Sequence, residues 1–78
     1  MYNEIDLHGT TKEVAVQLIQ RFIVNCSKQG IHYIEIIHGY RNGSAIKEAL
    51  MNHEIKSRLI EKIQAVPFND GRTGIYIK

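Results

Sequence analysis

The chain has 78 residues, which is enough for one domain and excludes an enzyme built from two domains around a cleft. Its composition, 44% hydrophobic and 23% charged, is typical of a globular protein. Ten basic and eight acidic residues give a formal net charge of +2, which permits a phosphate-bearing partner without requiring one. We therefore predict a single domain over residues 1–78 whose functional site lies open at its surface.

The cysteine content and the N-terminal sequence indicate a compartment. A single cysteine, Cys26, excludes an internal disulfide and fits a reducing environment. No secretion signal is visible at the N-terminus, and no apolar run approaches the roughly 18 residues that a membrane span needs. We expect a cytoplasmic protein with no membrane partner.

The first half of the sequence predicts a strand, a helix and a second strand. Residues 3–8 alternate between apolar and polar side chains, the period of a strand. Thr10 is the predicted helix N-cap in a capping box with Glu13, and Gly30 is the predicted stop. Residues 31–38, rich in β-branched and aromatic types, predict an inner strand. The buried stripe of the helix is predicted to comprise Val14, Ala15, Leu18, Ile19, Phe22, Ile23 and Cys26.

The second half predicts a turn, a helix and two strands. A turn over 39–43 precedes a helix that begins near Ser44. A third strand is expected over 62–68, a hairpin turn over 69–72 and a final strand over 73–78. The buried stripe of the second helix is predicted to comprise Ala45, Ile46, Ala49, Leu50 and Ile55, with the helix ending between about Asn52 and Leu59.

The predicted order βαβαββ specifies an α/β fold. Two strand–helix–strand crossovers imply parallel strands joined in the right-handed sense, and the last hairpin adds an antiparallel strand. The result is a two-layer sandwich, with a four-stranded mixed sheet and two helices on one of its faces. Ile5, Leu7, Ile75 and Ile77 would face the helices, whereas Asp6, His8, Tyr76 and Lys78 would line the open face.

The strongest signal for a site is that two turns follow the first two strands. Ligands bind at the carboxyl ends of parallel strands in α/β sheets, and both turns lie there. Asp6 and His8 share one face of the first strand, so the carboxylate can orient the imidazole and favour its protonated form. This pair predicts general acid–base catalysis or metal binding. The alternative is structural, with Asp6 capping a loop and His8 serving as a turn residue.

The second turn predicts a phosphate-binding site. Gly39 and Gly43 would let backbone amides approach a ligand, and the helix that starts near Ser44 adds the positive end of its dipole. Arg41 and Lys47 place two cations nearby. The glycine spacing fits neither a P-loop nor a dinucleotide fingerprint. A turn without a ligand is the alternative interpretation.

Other polar and aromatic residues carry weaker predictions. Strand parity predicts that His38 leans toward the helices, while His32 and His53 have no evident partner. No cysteine–histidine spacing predicts a zinc site. A basic cluster is either solvated surface or an extension of the surface that binds a nucleic-acid backbone. Three tyrosines are either packed in the fold or available to stack on bases. The cluster comprises Lys56, Arg58 and Lys62, and the tyrosines are Tyr33, Tyr40 and Tyr76.

Two motifs resemble those of the Smr (small MutS-related) domain family. The first is Asp6-Leu7-His8-Gly9, which follows Ile5. The second is the family's His-Gly-x-Gly-x-Gly, matched here by His38, Gly39 and Gly43, with Arg41 at the middle glycine position. A closing hairpin similar to the family's spans residues 71–77, so the resemblance covers essentially the whole chain.

The resemblance implies the βαβαββ fold, nucleic-acid binding and, in several members, endonuclease activity on DNA or RNA. It links such domains to DNA repair or recombination, or to ribosome-associated mRNA cleavage, so repair proteins or the ribosome are expected as partners. We expect a stand-alone form of the domain, without an attached ATPase. The implied site positions are Asp6, Leu7, His8, Gly9, His38, Gly39 and Gly43.

The resulting hypothesis is a phosphodiester-cleaving site. His8 would handle a proton on the attacking or leaving oxygen, oriented by Asp6, and His38 would supply the complementary acid. Asp6 and His8 offer only two ligands to Mg²⁺ or Mn²⁺, so a divalent cation is optional. The phosphate and nucleic-acid contacts are predicted at Gly9, Gly39, Arg41, Gly43, Ser44, Lys47, Tyr76 and Lys78. A module that binds nucleic acid or protein without catalysis is the alternative.

Overall fold

In the computed structural model, which describes residues 3–40 and 44–78, strands and helices follow the order βαβαββ. The predicted fold class is thereby confirmed. Neither helix in this part of the chain has the length and apolar character needed to cross a membrane. The elements are β1 (Glu4–Asp6), α1 (Lys12–Lys28), β2 (Tyr33–Ile37), α2 (Ser44–Met51), β3 (Ile60–Val66) and β4 (Asn69–Ile77).

The four strands form one mixed sheet in the order β1-β2-β4-β3. β1 and β2 are parallel, with Asp6 opposite Ile37, and β4 is antiparallel to both β2 and β3. β2 is therefore an inner strand, as predicted. The end of the sheet where β1 and β2 finish and β4 begins at Asn69 is called the carboxyl end below.

Both helices cover one face of the sheet and bury an isoleucine-rich core. Cys26 is buried in this core, as predicted, and burial raises the pKa of its thiol. Two predicted core residues are wrong: Val14 is 50% exposed and Ala45 is exposed. Ile55 is buried as predicted, but it lies after α2, which ends at Met51, earlier than predicted. The buried stripe of α1 runs through Ala15 and Ile19, and Val14 lies about 100° around the helix from Ala15. The largest apolar side chains that are fully buried are Ile19, Ile23, Ile34, Ile36, Leu50 and Ile75.

The start of α1 differs by one residue from the predicted capping box. Thr11, not Thr10, is the N-cap, and its hydroxyl accepts a hydrogen bond from the amide of Val14 at 3.4 Å. Thr10 belongs to the preceding turn, because its amide donates to the carbonyl of Leu7 at 3.0 Å. The predicted helix stop is confirmed at Gly30, which has a φ of 76°.

The hairpin turn lies two residues earlier than predicted. Val66 pairs with Asn69, so the loop consists of Pro67 and Phe68, and residues 69–72 belong to β4. The Asn-Asp-Gly sequence favours a turn by itself. Here, however, the Oδ1 of Asn69 accepts from the amide of Gly71 within the strand, at 3.1 Å. Pro67 presets φ for the first turn position, which fixes the turn before that sequence.

Candidate functional site

A groove of about 630 Å³ opens at the carboxyl end of the sheet. It is lined by residues 8–11 after β1, by Ile37 at the end of β2 and residues 38–40 after it, and by Ala45 and Ile46 of α2. This volume falls within the range of roughly 300–1,000 Å³ that is usual for ligand sites. Ala45 is exposed because it forms part of this lining rather than the core.

The two turns predicted to form the site meet in the structure. The amide of Leu7 donates to the carbonyl of Ile37 at 2.7 Å, which joins the ends of β1 and β2. Gly39 has a φ of 84°, and a β-carbon there would lie 3.2 Å from the β-carbon of His8. Glycine is required at this position on both counts, since it tolerates positive φ and leaves room for the neighbouring side chain.

Asp6 holds His8 through two hydrogen bonds. The Oδ1 of Asp6 lies 2.5 Å from the Nδ1 of His8 and also accepts from the His8 amide at 3.1 Å. Hydrogen bonding to Asp6 raises the pKa of His8, and the same bond lowers the pKa of Asp6. Both side chains are more than half exposed, at 71% for His8 and 53% for Asp6. Because Nδ1 faces Asp6, Nε2 is the ring nitrogen left to meet a ligand.

His38 lies behind the groove and is only 1% exposed. Its Nδ1 is 3.2 Å from the carbonyl oxygen of Gly39, and its Nε2 is 2.8 Å from the hydroxyl of Thr73. A carbonyl can only accept, so Nδ1 carries the proton and Nε2 accepts from Thr73. Burial lowers the pKa of His38, and the nearby charge of Lys47 lowers it further. These contacts favour a neutral imidazole that fixes the turn; a role as an acid stays a prediction.

The predicted phosphate-binding residues fall partly at this groove. Gly9, with a φ of 78°, and Gly39 line it. Lys47 lies in α2, close enough for its charge to act on His38. Arg41 and Gly43, together with the side chain of Ser44, lie outside the described residues.

Tyr76 and Lys78 lie toward the other end of the sheet. Tyr76 is opposite Tyr33, four residues before Ile37 on β2, which is about 13 Å along the strand. The two tyrosine rings pack with centroids 4.8 Å apart, and the Nζ of Lys62 lies 5.5 Å from the Tyr76 ring. The predicted site residues therefore form two separate groups.

Lys62 of the predicted basic cluster also lies at that far end, opposite Tyr76. Lys56 and Arg58 precede β3, which begins at Ile60 opposite Ile77. They do not extend the groove. His32 lies there too, and its Nδ1 is 3.2 Å from the carbonyl oxygen of Ile77. His32 is exposed, but it has a backbone partner that was not evident from the sequence.

A charge network that the sequence analysis missed occupies the middle of the open face. The guanidinium of Arg72 donates to Glu35 at 2.8 Å and to Glu4 at 3.2 Å, and the hydroxyl of Tyr33 donates to Glu35 at 2.8 Å. Arg72 and Tyr33 lower the pKa of Glu35, and burial together with Glu35 raises the pKa of Tyr33 to about 12. The network neutralises Arg72, so the centre of this face is not a cationic surface. Strand period places Tyr33 and Glu35 on one face, but the sequence does not show that Arg72 lies beside them.

Tyr40 is a second residue whose position the sequence did not distinguish. It is 72% exposed at the rim of the groove. Its hydroxyl donates to the Oδ1 of Asn69 at 3.1 Å, and its ring lies against Gly71, where a β-carbon would be 3.1 Å from the ring. Of the three tyrosines considered for stacking, Tyr40 is the one that lies next to the Asp6–His8 pair.

The described residues contain no group of three or more histidine, cysteine, aspartate or glutamate side chains that could hold a metal ion. Asp6 and His8 form a two-donor set and bond to each other. Such a set is smaller than an all-protein cation site requires.

Comparison with known proteins shows the family. The family model for the Smr domain matches residues 5–77. An Smr domain-containing protein of Schizosaccharomyces pombe is 35% identical over 96% of the chain. Proteins named endonuclease MutS2 from Finegoldia magna and Lactobacillus johnsonii are 29% and 31% identical over 97% and 96% of the chain. The chain spans 37% of the length of the first relative and 10% and 9% of the other two.

Two solved structures share the fold. The Smr domain of Thermus thermophilus MutS2 aligns with a TM-score of 0.77 at 24% identity, over 97% of this chain and 98% of that one. YdaL, a stand-alone small MutS-related protein from Escherichia coli, aligns with a TM-score of 0.80 at 14% identity, over 97% of this chain and 64% of that one. Together with the family model that matches residues 5–77, the βαβαββ fold and the two matching motifs, this shows that the chain belongs to the Smr domain family.

Proposed function

We propose that this Smr domain binds nucleic acid at the groove and cleaves its phosphodiester backbone, with His8 as the proton donor. The observation that carries the proposal is the exposed, hydrogen-bonded Asp6–His8 pair, placed against Gly39 in an open groove. A structural role would account for the hydrogen bond itself. The catalytic role is favoured because the second ring nitrogen of this exposed histidine is available to a ligand in the groove.

Three features of the groove favour a phosphate. Hydrogen bonding to Asp6 raises the pKa of His8, which favours the imidazolium cation. Ala45 and Ile46 line the groove from the first turn of α2, where helix amides lack intrahelical partners and attract anions. Lys47 adds a charge in the same helix. On sequence grounds the proposal also keeps Arg41, Gly43 and Ser44 as phosphate contacts.

The proposed reaction is an in-line displacement at phosphorus. An oxygen nucleophile, water for DNA or water or the 2′-hydroxyl for RNA, forms a new bond to phosphorus while the bond to the leaving oxygen breaks. The imidazolium of His8 gives its Nε2 proton to the leaving oxygen, and the proton of the nucleophile passes to solvent. Asp6 fixes the ring and stabilises its charged form. No step requires a metal ion.

The family supports this class of reaction, since two of the relatives described above bear the name endonuclease MutS2. The proposal treats residues 1–78 as one domain that acts on DNA or on structured RNA in the cytoplasm. A repair protein or the ribosome would be its wider context. Tyr76 and Lys78 are proposed as additional backbone contacts at the far end of the sheet.

The test is cleavage of supercoiled plasmid and of labelled stem-loop RNA, each with and without a chelator. His8→Ala should slow cleavage by roughly a hundredfold or more, the usual contribution of a positioned acid. Asp6→Asn should slow it less. The matched controls are His32→Gln and Glu61→Gln, which alter a histidine and a carboxylate away from the groove and should cleave like the parent. If the double variant Asp6→Asn, His8→Ala cleaves as fast as the parent, the assignment is wrong.

A binding module without catalysis is the second candidate. Its support is that His38 is buried with both ring nitrogens engaged, which leaves His8 as the exposed acid–base group among the described groove residues. Salt-dependent binding of nucleic acid without cleavage above background would select this function. Undetectable affinity at low salt, together with recovery of a protein partner, would indicate a protein-interaction domain instead.

A further inference from the structure

The tip of the β3–β4 hairpin carries an aromatic side chain that the fold does not use. Phe68 has a relative exposure of 107%, so its ring is fully open to solvent. A phenylalanine side chain normally stabilises a protein by being buried. Here the side chain contributes no burial to the core.

The backbone at the same residue is also unfavourable for phenylalanine. Phe68 has a φ of 62°, in the left-handed region. Glycine or asparagine adopts this conformation readily, whereas a bulky residue there is an outlier. Neither packing nor turn geometry accounts for phenylalanine at this position, and a strained residue of this kind points to function.

The hairpin tip projects from the carboxyl end of the sheet, beside the groove. The carbonyl of Gly71 accepts from the amides of His38 and Gly39 at 2.9 and 3.1 Å, so this part of β4 lies next to the second turn. Phe68 precedes Gly71 by three residues. It therefore lies about 10 Å from Gly71 along the extended chain, in the direction of the hairpin tip.

A second exposed ring lies beside the tip. The hydroxyl of Tyr40 donates to Asn69 at 3.1 Å, and Asn69 is the residue that follows Phe68. Tyr40 in turn follows Gly39, the residue in contact with His8. Two exposed aromatic residues therefore lie along the rim of the groove, with Tyr40 nearer to the Asp6–His8 pair and Phe68 farther from it. We call these two residues the aromatic rim.

We propose that the aromatic rim stacks on unpaired nucleobases of the strand whose phosphate lies at His8. This proposal rests on the proposed function and deepens it by naming the substrate class: a single-stranded or splayed segment, not a continuous duplex. An aromatic ring stacks on the face of a base, and that face is accessible only when the base has left its stack. Stacking on bases would explain why the Phe68 side chain is exposed to solvent at the tip of a hairpin next to the groove.

The test is equilibrium binding of a fluorescein-labelled 12-nucleotide DNA strand, single-stranded and in a blunt duplex, at low salt. Phe68→Ala and Tyr40→Ala should each weaken single-strand binding by about 5- to 100-fold, the range that loss of one base–aromatic stack produces. Duplex binding should not change. Phe68→Trp should retain single-strand affinity, and Phe68→Leu, which is apolar but not aromatic, should lose it.

An abasic scan locates the stacked base. Removing one base at a time should weaken parent binding most at one or two positions. At the position that contacts Phe68, the Phe68→Ala variant should show no further loss, because the stack is already absent. The unfolding temperature of Phe68→Asn should equal or exceed that of the parent, which would show that the side chain does not stabilise the fold.

The outcomes separate the two proposals. If the parent binds and cleaves nucleic acid but the rim variants bind single strands equally well, the rim proposal fails and the proposed function stands. If the parent binds no strand at low salt, both fail. If Phe68→Ala keeps its nucleic-acid affinity but loses a protein that the parent retains on an affinity column, the tip is a protein-docking site and the rim proposal is overturned.

Discussion

Asp6 bonds both the ring and the backbone amide of His8, and this contact predicts the pH profile of cleavage. A general acid acts in its protonated form, so the rate should fall as pH rises through the raised pKa of His8. Asp6→Asn removes the carboxylate, and the pKa of His8 should then return toward its ordinary value of 6.5. In this variant, the alkaline limb of the pH profile of kcat/KM should move to lower pH. The size of that move should equal the decrease in the His8 pKa measured by NMR. A limb that stays in place while the NMR pKa falls would exclude His8 as the acid.

Thr73 and His38 form the second residue-scale contact that can be tested. Thr73→Val keeps the shape of the side chain but removes the hydroxyl, which leaves the buried Nε2 of His38 without its partner at 2.8 Å. Leaving a buried polar atom unsatisfied costs about 1–3 kcal/mol. Urea unfolding at pH 8 should show a loss in that range. A loss below about 0.5 kcal/mol, the usual size of a surface effect, would contradict the buried hydrogen bond.

The two histidines also make opposite contributions to stability as pH changes. The folded state raises the pKa of His8, so its contribution is complete below 6.5 and is lost as pH rises through the raised value. The folded state lowers the pKa of His38, so its contribution is complete above 6.5 and is lost as pH falls toward the lowered value. As pH falls, the contribution of His8 therefore grows while that of His38 declines.

At the scale of elements, the junction of β1 and β2 depends on a glycine that can be compared with a matched control. Gly39 and Gly30 both have positive φ, 84° and 76°, but a β-carbon at Gly39 would crowd His8 whereas one at Gly30 meets nothing within 4 Å. Gly30→Ala should destabilise the fold by about 1–2 kcal/mol through backbone strain alone. Gly39→Ala should cost at least as much by urea unfolding and should also displace His8 and slow cleavage.

The same pair of variants separates a structural glycine from one that shapes the site. Gly30→Ala should cleave like the parent under conditions in which both proteins are folded. If Gly39→Ala also cleaves like the parent, the contact between Gly39 and His8 does not position the acid. If Gly30→Ala slows cleavage equally, the effect arises from general destabilisation.

Sequence periodicity predicted elements well where a helix or strand has one buried side. α1 and β1 show such a pattern, and β2 was indicated by its β-branched and aromatic residues. The crossover rule placed β1 beside β2, which is why the meeting of Asp6, His8 and Gly39 could be predicted. The position of β4 could not, because a hairpin strand can join a sheet on either side of its partner. Its insertion between β2 and β3 put Arg72 next to Glu35. The turn at Pro67 was missed because the Asn-Asp-Gly sequence after it is a stronger local turn signal.

At the scale of the whole molecule, a neutralised ion-pair network around Arg72 of β4 lies between the groove and a second positive region. Lys62 and Lys78 lie toward the far end of the sheet, beyond the neutralised Arg72 network. With a formal net charge of only +2, binding must depend on local charges rather than on the overall field. A nucleic acid that contacts both ends would have to pass over or around the open face.

The salt dependence of binding measures how far that contact extends. The slope of log K against log salt concentration is negative, and each phosphate contact on B-DNA adds about 0.9 to its magnitude. If duplex DNA reaches from the groove to the far end, Lys62→Gln and Lys78→Gln should each lower the magnitude of that slope by about 0.9 and weaken binding at low salt. Lys28→Gln, which removes an equal charge from the exposed end of α1 on the helix side, should leave the slope unchanged. Equal slopes for the parent and all three variants would confine phosphate contact to the carboxyl end of the sheet. In that case Tyr76 would serve packing against Tyr33 rather than binding.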